Sequence, residues 1–347
     1  MTCDENSAQP VPRTPGWLLD LLSLDPPDEG SEVRLGDRPF RYQAGILREL
    51  AVMSDAQTQT ADTFGFKWRQ RGTFESAAAL DGVRAWLLSR YGDVSTADWW
   101  AEYGERPIVV DAGCGAAMSA IELFGPQLPN VRYLGIDVSH AVDVAAARFA
   151  ERGMEAGFLQ ADISNPPLPE ASVDVVFSEG VLHHTDSTEK ALQAVARLLK
   201  PGGRLLFYVY RKKGPLREFS DDYIRDRLQG MTAQQAWEAV LPLTKLGQAL
   251  GELDVKVEIP DDIDILGIPA GTIDVQRLFY WHVCKAFYRA DLDLQEMNHI
   301  NFDWFVPKNA QRQTEHEVRG WCREAGLVIE REVVEEAGIT VVARAGG

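Results

Sequence analysis

The most constraining stretch of this chain is Ile108-Val109-Val110-Asp111-Ala112-Gly113-Cys114-Gly115. Three β-branched residues run into an acid and then into glycines spaced by one. Such a run is a buried parallel strand that ends in a turn where backbone must approach closely. Further on, a second apolar strand, Tyr133-Leu134-Gly135-Ile136, ends in Asp137. A glycine turn after one strand and an acid at the tip of the next is how a doubly wound sheet holds a nucleoside, with the acid accepting from the ribose hydroxyls.

The turn also narrows the choice of nucleoside. A dinucleotide fold needs G-x-G-x-x-G opening a helix, to set backbone N–H groups on a pyrophosphate. Here the run is D-A-G-C-G-A-A-M, with Ala117 where a further glycine is expected. Asp111 would also repel a diphosphate. A carboxylate there suits a cationic amino acid, and S-adenosylmethionine carries an ammonium and a sulfonium but no phosphate.

Downstream segments extend the pattern. Gly157-Phe158-Leu159-Gln160-Ala161 reads as a third strand ending in Asp162, followed by Ile163. Val173-Asp174-Val175-Val176-Phe177-Ser178 reads as a fourth, leading into Glu179-Gly180-Val181-Leu182-His183-His184. A helix is expected from about Ser187 to Leu199, then a turn at Lys200-Pro201-Gly202-Gly203 and a fifth strand to Tyr210. The motifs V-D-A-G-C-G, G-I-D, A-D, V-D-V-V-F-S-E-G-V-L-H-H and L-K-P-G-G, in this order, resemble the class I S-adenosylmethionine-dependent methyltransferases of the type 11, ubiquinone-biosynthesis-like group. The resemblance is dense over 107–210 and loose over 305–347. It implies an α/β, Rossmann-like, doubly wound seven-stranded sheet with an antiparallel last strand. It further implies a cofactor site at Asp111, Gly113, Gly115, Asp137 and Val138, with Asp162, Ile163 and Ser178 beyond it and Asp162 accepting from the adenine amino group.

The flanks are less generic. Residues 1–15 read as a disordered tail, and 16–48 resemble weakly the small zinc-ribbon segments that precede some bacterial methyltransferases. The cysteines of such a ribbon are missing around Asp25-Pro26-Pro27, so the expectation is a metal-free segment held by packing, or one that covers a sheet edge or a dimer partner. Residues 49–106 are expected to form a helical lid. Within it Thr63-Phe64-Gly65-Phe66-Lys67-Trp68 resembles the F-G-x-x-W run of relatives, which implies that Phe64 and Trp68 close over the cofactor; the i, i+4 spacing also suits a buried helix stripe. Residues 211–304 are read as a mostly helical insertion at the carboxyl ends of the strands, and 305–347 as the last helix and strands. Thr314-x-x-Glu317 marks a helix start.

The insertion mixes aromatic rings with polar groups, as a substrate pocket does. Tyr210, Tyr223, Tyr280 and Trp304 are its candidate aromatic contacts. His282, Asn298, His299, Asn301 and Asp303 are its polar candidates, and Arg211, Lys213 and Arg217 could hold an acidic group. If the acceptor is a hydroxyl or an ammonium, a base must take its proton. Glu179, His183 and His184 lie on the loop nearest the methyl; His282, His299 and Asp303 are further candidates.

Composition bounds the partners. A formal net charge of -17 opposes nucleic acid and anionic membranes. Cys3, Cys114, Cys284 and Cys322 form no C-x-x-C pair, so no metal site or disulfide framework is indicated and a reduced, cytoplasmic setting fits. No apolar run reaches a membrane span, and no secretory signal is seen. The expected function is methyl transfer to a small polar or anionic molecule in specialised metabolism, with homodimerisation left open. The rivals are a tRNA or protein methyltransferase and a cofactor-binding subunit without activity.

Overall fold

A computed structural model describes residues 14–346; Cys3 and nearly all of the expected tail lie outside the described residues. The chain opens with α1 (Gly16–Leu22) and three short strands, β1 (Glu32–Leu35), β2 (Arg38–Gln43) and β3 (Ile46–Glu49). Helices α2 (Asp55–Arg69) and α3 (Ala77–Tyr91) follow. The alternating part runs β4 (Ile108–Ala112), α4 (Met118–Phe124), β5 (Arg132–Asp137), α5 (Ala141–Glu151), β6 (Ala156–Gln160), β7 (Val173–Glu179), α6 (Thr188–Ala196) and β8 (Leu199–Tyr210). The insertion holds α7 (Pro215–Leu228), α8 (Ala233–Glu252), the hairpin β9 (Lys256–Ile259) and β10 (Gly271–Asp274), α9 (Val275–His282) and α10 (Leu294–Phe305). Helix α11 (Glu315–Glu324), β11 (Leu327–Val334) and β12 (Gly338–Ala345) complete the chain.

Ten strands form one sheet in the order β1-β2-β3-β6-β5-β4-β7-β8-β12-β11. The seven from β6 to β11 are the expected doubly wound sheet, and β12 runs antiparallel to β8. Strand β4 is buried along its whole length between β5 and β7, which its continuous apolar run anticipated. Successive residues serve opposite faces: Val109 packs into the core shared with the insertion, Val110 into the core behind the sheet. The chain reverses its direction of winding at β4, so a crevice opens at the strand tips between β4 and β7.

The N-terminal segment is a β-meander. Strand β3 lies parallel to β6, with Leu47 opposite Leu159 and Arg48 opposite Gln160, and so extends the sheet beyond seven strands. Phe40 and Leu47 are fully buried, and Leu18 of α1 packs into the same core. The expectation of a sheet-edge cover thus describes this segment; the zinc-ribbon likeness gains no support. Thr14 Oγ1 donates to Gly45 O, which ties a residue of the expected tail to the meander.

Helix starts follow the sequence closely. Thr232 with Gln235, Asp293 with Glu296 and Thr314 with Glu317 each make reciprocal capping bonds. Within the insertion read as mostly helical, the aromatic run 276–288 is helical only as far as His282. Beyond it the backbone is irregular yet buried, and side chains replace the helical partners. Lys285 N–H donates to Asp221 Oδ1 at 3.2 Å, Phe287 N–H to Asn301 Oδ1 at 3.0 Å, and Gln276 Nε2 to Ala286 O at 2.7 Å. Among the described residues no helix is long and apolar enough to cross a membrane.

Candidate active site

The strand tips, α2, and the insertion enclose a cavity of about 380 Å³. On the sheet side, Gly113 N–H and Cys114 N–H both donate to Ile136 O, which pins the turn after β4 to the end of β5. Gly113 has φ +87° and a Cβ there would meet Val181 at 2.1 Å, so only glycine fits. Ala117, at the place of the expected third glycine, adopts the same left-handed region with φ 55°, at a cost of about 1 kcal/mol for a residue with a Cβ.

Asp111, Asp137 and Asp162 all line the cavity. Among the described residues the one hydrogen bond to the Asp111 carboxylate comes from Tyr133 Oη, at 2.6 Å. Burial without a cation pushes Asp111 up to about 7. Asp137 accepts from Gly115 N–H at 2.8 Å and from both the backbone and the hydroxyl of Ser139, so it braces the glycine turn as well as facing the cavity. Burial raises its pKa too. Asp162 accepts from Ser164 N–H, and Val138 and Ile163 line the cavity beside these acids.

Helix α2 lies over the glycine turn. Phe64 and Trp68 both line the cavity, and Trp68 sits so close that a Cβ on Gly115 would come 2.6 Å from its Nε1. The lid role and the helix stripe are one arrangement here. Between the two rings stands Lys67, which the sequence reading passed over. Its ammonium lies 4.2 Å from the Trp68 ring centroid and pairs with Asp303 Oδ1 at 2.6 Å. Tyr210 Oη donates to the other oxygen of Asp303, at 3.0 Å. Against the upward push of burial, the Lys67 ammonium above all holds the Asp303 carboxyl well below the usual carboxylate range.

The two adjacent histidines differ. His183 is fully buried, packs 3.7 Å from the Tyr210 ring centroid, and accepts Tyr210 N–H at Nδ1; it does not line the cavity. His184 does line it. Its Nδ1 lies 2.5 Å from Asn309 O, a pure acceptor, so Nδ1 carries the proton and Nε2 keeps its lone pair. That Nε2 is buried with no hydrogen-bond partner. Burial lowers the ring to about 4, which keeps it neutral. Glu179 also reaches the cavity, but its carboxylate accepts from Trp86 Nε1 at 3.1 Å and from Tyr91 Oη, which ties it to α3.

On the insertion side, Tyr210, Arg217, Tyr280, His299, Asp303 and Trp304 line the cavity, as the sequence suggested. Other candidates sit elsewhere. Ser178 donates to Ala112 O and ties β7 to β4. Tyr223 is 60% exposed, on the outer face of α7. Arg211 pairs with Glu315 outside the cavity, and His282 is buried at the end of α9 without lining it. Asn298 and Asn301 are fully buried structural hydrogen-bonders, both bonded to Thr244 Oγ1. Helical periodicity turned them toward α8, because a cap needs its own polar core as much as its apolar one. Lys285 is the second lining residue the sequence reading missed; its one signal was a lone cation inside the run F-Y-W-H-V-C-K-A-F-Y.

Residues 110–207 match the family described as methyltransferase domain. Over 97 residues the chain is 37% identical to an uncharacterized methyltransferase of Mycobacterium bovis, a span of 28% of this chain and 47% of that one. An O-methyltransferase of Aspergillus nomiae is 33% identical over 123 residues, 33% of this chain and 53% of its own length. Among solved structures, the 1,6-didemethyltoxoflavin-N1-methyltransferase of Burkholderia thailandensis is 16% identical with a TM-score of 0.42, covering 91% of this chain and all of that one. The chain spans about half the length of the curated relatives it matches. The match falls on the part of the doubly wound sheet that runs from β4 to β8.

Proposed function

We propose that the chain binds S-adenosylmethionine at the β4–β6 strand tips and methylates a small polar or anionic molecule held by the insertion, with His184 as the base. The observation that carries this reading is one cavity that joins three strand-tip carboxylates to a neutral imidazole with an unpartnered acceptor nitrogen. The residues fit the cofactor. Asp111 is a buried carboxylate without a cation, as an amino-acid ammonium requires, and Asp137 and Asp162 face the same space. When bound, the cofactor supplies a methyl already activated on a sulfonium, so that forming the acceptor–carbon bond breaks the carbon–sulfur bond and leaves a neutral thioether. Phe64 and Trp68 exclude water from that space, and the enclosed geometry aligns the acceptor. His184 Nε2 takes the acceptor's proton; the Asn309 carbonyl fixes the tautomer that can do so and stabilises the imidazolium formed. Net acidity supports a small molecule over a nucleic acid.

The test is calorimetry with S-adenosylhomocysteine, then transfer of tritiated methyl into metabolite extract and into tRNA. Binding with label in small molecules is expected; no binding, or label in tRNA alone, contradicts the reading. His184→Gln should slow transfer by about 10²–10⁴-fold with cofactor affinity unchanged. Full activity in that variant removes His184 as the base.

A further inference from the structure

Four cations converge on the Trp304 indole; Arg225, at 4.8 Å from the ring centroid, does not line the cavity, and the other three do. The Arg217 guanidinium lies 5.3 Å from the Trp304 ring centroid, the Lys285 ammonium 5.0 Å and the Lys213 ammonium 5.7 Å. All three line the cavity, and they arrive from different places: the end of β8, the first turn of α7 and the irregular segment after α9. Their compensation is incomplete. Arg217 Nε donates to Asp221 Oδ2 at 2.6 Å, but that oxygen also accepts from Trp304 Nε1 at 2.7 Å. Asp303 is taken by Lys67. Among the described residues the Lys213 ammonium donates to the neutral carbonyls of Glu336 and Ala337 and to no carboxylate, while the Glu336 carboxylate lies toward Arg211. Among the described residues the Lys285 ammonium has neither an ion pair nor a hydrogen bond, although the residue is 7% exposed. A buried ammonium left unpaired weakens the fold unless something else meets it.

We propose that Lys213, Arg217 and Lys285 form an oxyanion-binding subsite against Trp304, and that the methyl acceptor is a compact acid whose carboxylate or phosphate is met by the Lys285 ammonium. The proposal rests on the methyl-transfer reading and names its substrate class. The neighbouring wall of Tyr280, Trp281 and Trp304 suits a planar body behind the acid. The three cations come from the insertion side and the three strand-tip carboxylates from the sheet, so a zwitterionic methyl donor and an acidic acceptor would be met by different elements. Lys285 comes into place through Asp221, which accepts its backbone N–H and also orients Arg217; one buried carboxylate therefore sets two of the three cations.

The experiment uses the whole chain loaded with S-adenosylhomocysteine and titrates benzoate, phenyl phosphate and the neutral isostere benzamide by calorimetry. Benzoate or phenyl phosphate should bind at least tenfold more tightly than benzamide, and the better of the two anions tells carboxylate from phosphate. Lys285→Met should remove that preference, Lys285→Arg should restore part of it, and Lys285→Met should melt no lower than the parent because it deletes an unpaired buried charge. Equal binding of benzamide and both anions would overturn the subsite. So would a preference that survives Lys285→Met, or a preference lost together with a fall in melting temperature. Homocysteine-cofactor affinity is read in the same titrations; its absence would sink the methyl-transfer reading while anion binding by the unloaded chain would still report on the subsite.

Discussion

The cavity has two walls of opposite charge, assembled in opposite ways. The sheet wall presents Asp111, Asp137 and Asp162 from the tips of three neighbouring parallel strands, a placement that topology alone enforces. The insertion wall presents Lys213, Arg217 and Lys285 from segments that meet only through side-chain contacts with Asp221 and Trp304. The first wall is a property of the fold. The second is a property of this particular cap, and on the proposed reading it is where acceptor specificity would reside.

The largest effect expected from a single change falls on the contact between the two walls. Asp303 joins Lys67 of α2 to Tyr210 at the end of β8. Asp303→Ala leaves Lys67 buried and unpaired, which should cost about 3–5 kcal/mol in denaturant unfolding. An unchanged midpoint would mean that α2 is not held by this pair, and the walls would have to be treated as independent. Asp137→Ala probes the sheet wall alone. It removes the acceptor for ribose hydroxyls and a brace of the glycine turn, and should weaken S-adenosylhomocysteine binding by about 1–3 kcal/mol. Equal loss of benzoate binding would show that the walls are coupled after all. The smallest effect belongs to Tyr223→Ala. Its ring is exposed outside the cavity, so stability and transfer should both stay within about 0.5 kcal/mol of the parent. A clear loss of transfer would place part of the substrate site on the outer face of α7.

The same contrast explains what the sequence could and could not tell. Apolar runs ending in acids named the sheet wall residue by residue, because a buried parallel strand has one place to put its last side chain. The capping box at Thr314 is local, and it too was legible. The meander at 32–49 was not, since its pairing partner β6 lies more than a hundred residues away. Nor was the end of α9: Asp221, Asn301 and Gln276 take over its backbone bonds, and nothing in 276–288 itself announces that. Lys285 owes its position to that break. His183 and His184 are chemically alike in sequence; only the Asn309 carbonyl and the Tyr210 ring, both distant along the chain, separate the proposed base from a packing residue.

The central claim, a carboxylate wall for a cationic donor and an ammonium wall for an anionic acceptor, has a signature in pH. Asp111, raised to about 7 by burial, is neutral below that pH and charged above it, so affinity for the homocysteine-cofactor ammonium should climb as pH rises through 7. Lys285, lowered to about 7 by the same burial, is charged below that pH and neutral above it, so affinity for benzoate should fall over the same interval. Calorimetric affinities of both ligands between about pH 6 and pH 8 should therefore change in opposite directions, each by up to about tenfold per pH unit. Two affinities that move together, or that both stay flat, would contradict a cavity built from opposed charges.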